Sequence, residues 1–158
     1  MSEIIKGYIC ANLTKDSASD IYNFFTKRKL ECQPELHTTI IHDSELTFNP
    51  LDENHIKRLA AKGVIYGKVI GGKILGEKDS KTRTPALVIS SPVIETIHDY
   101  LVKNGYHHYY DEFIAHISIN YGACEEDLDK YMSAIDNLIG KPVVYEGIEV
   151  DIIKPKEE

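Results

Sequence analysis

The feature that most constrains this chain is a doubled tripeptide. His37-Thr38-Thr39 and His116-Ile117-Ser118 each place a hydroxyl two residues after a histidine, inside an apolar run. Residues i and i+2 of a strand share a face. His37 and Thr39 are therefore expected on one face of their strand, and His116 and Ser118 on one face of theirs. From position 37 to position 116 the offset is 79 residues, and the flanking segments are expected to repeat at the same offset. Tyr8–Ala11 then falls on Leu87–Ser90, both strand-like, and the stretches after Thr14 and Val93 are both helix-like. Ala18, Ile21, Tyr22 and Phe25 follow one-sided helical spacing, as do Ile94, Ile97 and Leu101. Ser91 suits an N-cap and Pro92 a first helical turn. Each half reads strand, helix, loop, histidine strand. A pseudo-twofold arrangement of the halves, around 6–42 and 85–121, is the simplest way to bring the two histidine strands together.

Strand parity extends the grouping. Ile9, Leu13, Ile117 and Ile119 are expected to face helices. The opposite face then carries Tyr8, His37, Thr39, His116, Ser118 and Glu149, lining a common cleft if two sheets face one another. In the final strand, Val143 to Ile153, alternation places Val144, Ile148, Val150 and Ile152 on one side and Tyr145, Glu149 and Asp151 on the other. Gly63 to Leu75 reads as two strands or one strand interrupted at Gly71-Gly72. Asp52 to Ala61 reads as a short helix. Glu125 to Ile139 reads as a longer one, with Leu128, Tyr131, Met132, Ile135, Leu138 and Ile139 as its buried stripe and Gly140 and Pro142 ending it.

Two imidazoles and two hydroxyls suit transfer at a phosphodiester. One imidazole takes a proton from the nucleophile, the other gives one to the leaving oxygen, and the hydroxyls hold the phosphate's free oxygens. A lone strand histidine would more simply be a hydrogen-bonded one; it is the matched pair that favours chemistry. His42 and His55 read as surface residues. His107-His108-Tyr109-Tyr110 is either a solvated loop or a groove rim that stacks on bases. A zinc site built from His37, His107, His108 and His116 lacks the closely spaced ligand pairs zinc prefers, and Gly72-Lys73 lacks the remainder of a P-loop. No cofactor is implied.

The remaining properties set bounds. A length of 158 residues suits one domain. The formal net charge of −7 argues against tracking long nucleic acid, which wants a basic surface. No apolar run approaches a membrane span. Cys10, Cys32 and Cys124 show no Cys-x-x-Cys spacing and read as free thiols. Met1-Ser2-Glu3 lacks a signal peptide's basic region, so a reducing, cytoplasmic setting is expected.

With these residues in view, the chain resembles the two-histidine (2H) phosphoesterase superfamily. Within it, the chain is most similar to the phage anti-CBASS cyclic-oligonucleotide phosphodiesterases. The likeness rests on the two His-x-Thr/Ser motifs, on Gly7-Tyr8-Ile9, on Glu35 to Ile40, on Tyr110 to Tyr121, on Ala86 to Ile89 and on the final strand. The resemblance implies a bilobal α+β fold, with two antiparallel sheets, outer helices and a central groove. It implies metal-independent hydrolysis of 3′–5′ bonds in cyclic di- and trinucleotide immune signals such as cGAMP, an activity that lets a phage evade its host's defence. It places catalysis on His37, Thr39, His116 and Ser118. It also puts a groove tyrosine at Tyr8 and a base-contacting acid at Glu149 or Glu146. The chain departs from the pattern in having Ser118 where threonine is commoner and in having no tryptophan, so base stacking falls to tyrosines. Two other functions remain open on the residues: a 2H enzyme acting on 2′,3′-cyclic phosphates or RNA ends, and a binder that sequesters a nucleotide.

Overall fold

The computed structural model describes residues 6–43, 58, 65–76, 81–103 and 113–153, with Lys6–Tyr8, Asp43 and Val150–Ile153 described by backbone alone. The helix expected over Asp52–Ala61, apart from Arg58, and the rim His107–Tyr110 lie outside these residues. In chain order the elements are β1 (Lys6–Leu13), α1 (Lys15–Thr26), β2 (His37–Asp43), β3 (Ile65–Leu75), β4 (Thr82–Ser90), α2 (Pro92–Lys103), β5 (His116–Ser118), β6 (Ala123–Cys124), α3 (Glu125–Asp136) and β7 (Pro142–Ile153). The protein is mixed α and β, and all described strand pairs are antiparallel.

Two of the three described helices start at side-chain caps. Thr14 Oγ1 accepts from the Ser17 amide at 3.2 Å, and Ser91 Oγ accepts from the Ile94 amide at 3.3 Å. Such caps satisfy amides that the first helical turn leaves unpaired. Ser91 also donates to the Tyr66 carbonyl at 2.8 Å, tying the start of α2 to β3. Of the expected stripes, Tyr22 of α1 is exposed, whereas Ile21 and Phe25 of α1, Ile94, Ile97 and Leu101 of α2, and Leu128, Tyr131 and Ile135 of α3 are buried. They close one apolar core over Ile9, Leu13, Ile117 and Ile119, the residues that parity assigned to the helix side. Ile139 is the exception in the α3 stripe; it is exposed, because the helix ends at Asp136 and the chain turns before reaching it.

The strand order is β3-β7-β1-β2-β5-β4-β6, and β3 also pairs with β4. The sheet therefore returns on itself: where two antiparallel sheets are expected from sequence, the described strands form one, continuous along two seams. One seam is β2 against β5. The other is β3, whose Ile65–Lys68 pairs with β7 and whose Lys68–Leu75 pairs with β4. The described part of the Gly63–Leu75 stretch, Ile65–Leu75, is thus one strand whose register slips between Val69 and Gly71. Gly72 lets α3 lie close: a Cβ there would stand 2.8 Å from Ile135 Cγ2.

Two further bulges decide which side chains face inward. In β2, Cys10 pairs with Thr39 and Ile9 with Ile41, so Ile40 is the extra residue. In β7, Asn12 pairs with Gly147 and Leu13 with Tyr145, so Glu146 is the extra residue. A bulge adds one residue and reverses parity beyond it. Tyr145 accordingly sits inside with Val143 and Ile148, all buried, rather than beside Glu149 as plain alternation predicts. The repeat is also looser than a uniform offset. Asn12 and Cys10 face His37 and Thr39, whereas Val88 and Ala86 face His116 and Ser118. The outer strands are thus offset by 76 residues, from 12 to 88, and the histidine strands by 79. The halves repeat element by element, not residue by residue.

Candidate functional site

β2 and β5 are neighbours in the sheet, and Thr38 pairs with Ile117. The pairing is antiparallel, so one step either way sets His37 opposite Ser118 and Thr39 opposite His116. Thr38 and Ile117 are both fully buried on the core side. The four motif residues therefore lie together on the other face, with His37, Thr39 and His116 half-buried and Ser118 buried. The two histidines are diagonal neighbours across the seam. Diagonal positions of this kind stand about 7–8 Å apart, which leaves room for a phosphate between the rings.

Each motif is fixed from behind. Thr38 lies between His37 and Thr39, and its hydroxyl hydrogen-bonds the Tyr145 hydroxyl at 2.6 Å inside the core. Burial pushes the Tyr145 phenol up to about 12, against a smaller opposing effect of the Thr38 hydrogen bond. In the second motif, His116 Nδ1 stands 2.8 Å from the Ile114 carbonyl. A carbonyl only accepts, so Nδ1 carries the hydrogen and Nε2 is the atom left to exchange a proton. Gln33 holds the same stretch from outside. Its Nε2 donates to the Ser118 carbonyl at 2.6 Å and its amide to the Ile119 carbonyl at 2.8 Å. Tyr131 donates to the Glu31 carbonyl at 2.6 Å and accepts from Asn120 at 3.1 Å, so the 31–33 segment is pinned against the exit of β5.

A cleft of about 450 Å³ opens beside His37, lined among others by Cys10, Asn12, Glu35, Glu146 and Glu149. His116, Thr39 and Ser118 lie outside that lining. Asn12 is the cross-strand partner of His37, and its Nδ2 donates to Glu149 Oε2 at 2.9 Å. Of the two acidic residues considered from sequence, both reach the cleft, and Glu149 is the one held by an amide. Tyr8 pairs through its backbone with His42 and Asp151, two places before Cys10 in the part of the β1–β7 ladder that precedes the Glu146 bulge. Asn12, Gln33 and His98 were not singled out by the sequence. Asn12 and Gln33 carry no periodic signal of their own. His98 does, because it completes the 94, 97, 98, 101 spacing of the buried stripe of α2.

Cys10, Cys32 and Cys124 are not disulfide-bonded. Burial pushes Cys32 up to about 12, which removes it as a nucleophile. Among the described residues no helix is long and apolar enough to cross a membrane.

The fold is similar to that of a solved structure, that of Kluyveromyces marxianus Usb1. The two are 10% identical with a TM-score of 0.55, over 94% of this chain and 96% of the other. At that identity the likeness speaks for the fold alone. No curated protein matches the chain. Residues 6–154 match the family model described as "Anti-CBASS protein Acb1", a range that takes in every described strand and helix. The chain therefore belongs to the Acb1 family of anti-CBASS proteins.

Proposed function

We propose that this protein is a phosphodiesterase that opens 3′–5′ bonds of small cyclic oligonucleotide signals, acting in the cytoplasm of an infected bacterium. One observation carries the reading. Two imidazoles and two hydroxyls occupy one face across a single strand seam, in a diagonal arrangement that suits acid–base transfer about one phosphate. Family membership supplies the biological setting.

The chemistry needs no group beyond those side chains. One histidine, neutral, takes the proton of the ribose 2′-hydroxyl beside the scissile bond. The 2′-oxygen attacks phosphorus, the bond to the 5′-oxygen breaks, and the second histidine, protonated, gives that oxygen its proton. The opened product carries a 5′-hydroxyl and a 2′,3′-cyclic phosphate. Holding the 2′-oxygen in line uses proximity, worth ~7–11 kcal/mol in favourable cases. Thr39 and Ser118 steady the phosphate oxygens as charge develops. Because Nδ1 of His116 is committed to Ile114, His116 works through Nε2 in either role. Glu149, with Glu146 nearby, accepts from the base edge in the cleft beside His37, and Tyr8 is the groove tyrosine that the family resemblance implies.

The test is a panel of cyclic di-, tri- and tetranucleotides incubated with the protein in excess EDTA, alongside the same rings carrying 2′-deoxyribose at the cleaved bond. New linear product from the ribose ring alone is expected. Cleavage of the deoxy ring at the same rate would discard the 2′-hydroxyl mechanism. Loss of turnover in EDTA, restored by one divalent ion, would discard the metal-free one. Ligand recovered intact after denaturing the protein would make it a sequestering binder.

A further inference from the structure

His98 is a buried histidine that the proposed chemistry does not use. It lies on α2 and is 8% exposed. Its Nδ1 stands 2.8 Å from the Ile40 carbonyl, so Nδ1 carries the hydrogen and donates it. Ile40 is the extra residue of the β2 bulge, immediately after Thr39. Bulges disrupt the ladder locally and leave the extra residue without a cross-strand partner, and His98 supplies a donor for its carbonyl. The same imidazole lies flat on the ring of Phe113, with centroids 3.9 Å apart and planes within 8°. Phe113 leads directly into β5, three residues before His116.

One side chain thus grips the exit of the first motif by a hydrogen bond and the approach to the second by a ring stack. It does so at the seam where Thr38 and Ile117 are the described backbone pair between β2 and β5. The bulge also sets parity. Were it to slip by one residue, Thr39 would turn from the site face toward the core.

We propose that His98 is a positioning residue for this site, clamping the Ile40 bulge and the Phe113 ring so that Thr39 and His116 stay opposite each other. The role assumes the acid–base reading given above. Three variants separate its parts. His98→Phe keeps a ring to stack but loses the donor. His98→Asn returns an amide donor near the place of Nδ1 without the ring. Ile97→Ala removes a buried neighbour on the same helix that takes no part in the clamp, and serves as the control for lost stability.

With a cleaved cyclic dinucleotide, His98→Phe is expected to lower kcat about 10- to 100-fold, the penalty typical of a small misplacement, with KM within about threefold. His98→Asn should recover part of that loss, and Ile97→Ala should keep kcat near wild type below its melting temperature. Histidine ring ¹H–¹⁵N spectra give a second readout that needs no substrate. His98→Phe should shift the ring signals of both His37 and His116, and Ile97→Ala neither. A folded His98→Phe with unchanged kcat and unshifted rings overturns the proposal. So does a kcat loss that Ile97→Ala reproduces at equal loss of melting temperature. If the wild-type protein cleaves no ring yet His98→Phe shifts both histidines, the functional reading falls and the positioning role stands.

Discussion

The two histidine motifs are alike in sequence and unlike in how they are held. The first sits in a seven-residue strand, β2, laddered to β1 along most of its length. Its middle residue, Thr38, is anchored in the core by Tyr145. The second occupies a three-residue strand, β5, laddered to β4 over those three residues. It also borrows support from Gln33, a residue of the other half. A matched pair of chemical groups therefore does not require a matched pair of scaffolds. What the halves share is the final placement of four side chains on one face; the 76-residue offset of the outer strands shows how freely the rest has diverged.

The largest expected effect treats the motifs as equal. His37→Ala and His116→Ala should each lower kcat ~10²–10⁴-fold, the range for general acid–base groups, while ligand binding largely persists. Thr39→Ala and Ser118→Ala should lose less, about tenfold to a hundredfold, since each removes one of several phosphate contacts. Single-turnover rates and equilibrium binding on the four variants give the comparison. A near-wild-type rate in either histidine variant would break the symmetry of roles, leaving only one motif in the chemistry.

Much of this arrangement was legible in the sequence. Most of the helix stripes, the Ser91 cap, and the placement of each histidine with its hydroxyl follow from periods of 3.6 and 2 and from capping chemistry. What was not legible lies where one residue changes parity or where partners come from afar. Plain alternation puts Tyr145 beside Glu149, and only the extra residue Glu146 turns it inward. The Ile40 bulge leaves a faint trace, two consecutive isoleucines that are both fully buried and so break the alternation of the strand. Gln33 sits in a loop with no period at all, 85 positions from the carbonyl it holds. Closure of the sheet through β3 depends on a strand that serves two neighbours, which no local pattern encodes.

A second prediction concerns the anchor of the first motif. Tyr145→Phe leaves the buried Thr38 hydroxyl without that partner and should cost ~1–3 kcal/mol in urea unfolding at neutral pH. Thr38→Val combined with Tyr145→Phe should cost less than the two single changes together, because no lone buried hydroxyl then remains. The pH dependence adds a check of sign. Burial raises the folded phenol from 10.0 to about 12. Its stabilising contribution is therefore whole below pH 10 and is lost as pH climbs toward 12, a loss on the order of 2–3 kcal/mol. Cys32, raised from 9.0 to about 12, adds in the same direction from pH 9 upward. Stability of Tyr145→Phe should fall less steeply than wild type between pH 10 and 12. Parallel curves would show that Tyr145 is not the group responsible.

The smallest effect separates the two scaffolds most sharply. Gln33→Leu removes the side-chain donor to the Ser118 carbonyl and keeps the backbone bond to Ile119. A single part-buried hydrogen bond contributes ~1 kcal/mol net, so the melting shift should be modest and smaller than that of Tyr145→Phe. Activity should rank the other way. β5 is short, and loosening the carbonyl of Ser118 frees the residue that carries the second hydroxyl. A drop of about 3- to 10-fold in kcat is expected for Gln33→Leu, against little change for Tyr145→Phe, whose motif is still held by the β1 ladder. Pairing Gln33→Leu with Ser118→Ala sharpens the point. If Gln33 acts through Ser118, its effect on kcat should largely vanish once that hydroxyl is gone, and a fully additive double variant would assign Gln33 to the fold rather than to the motif.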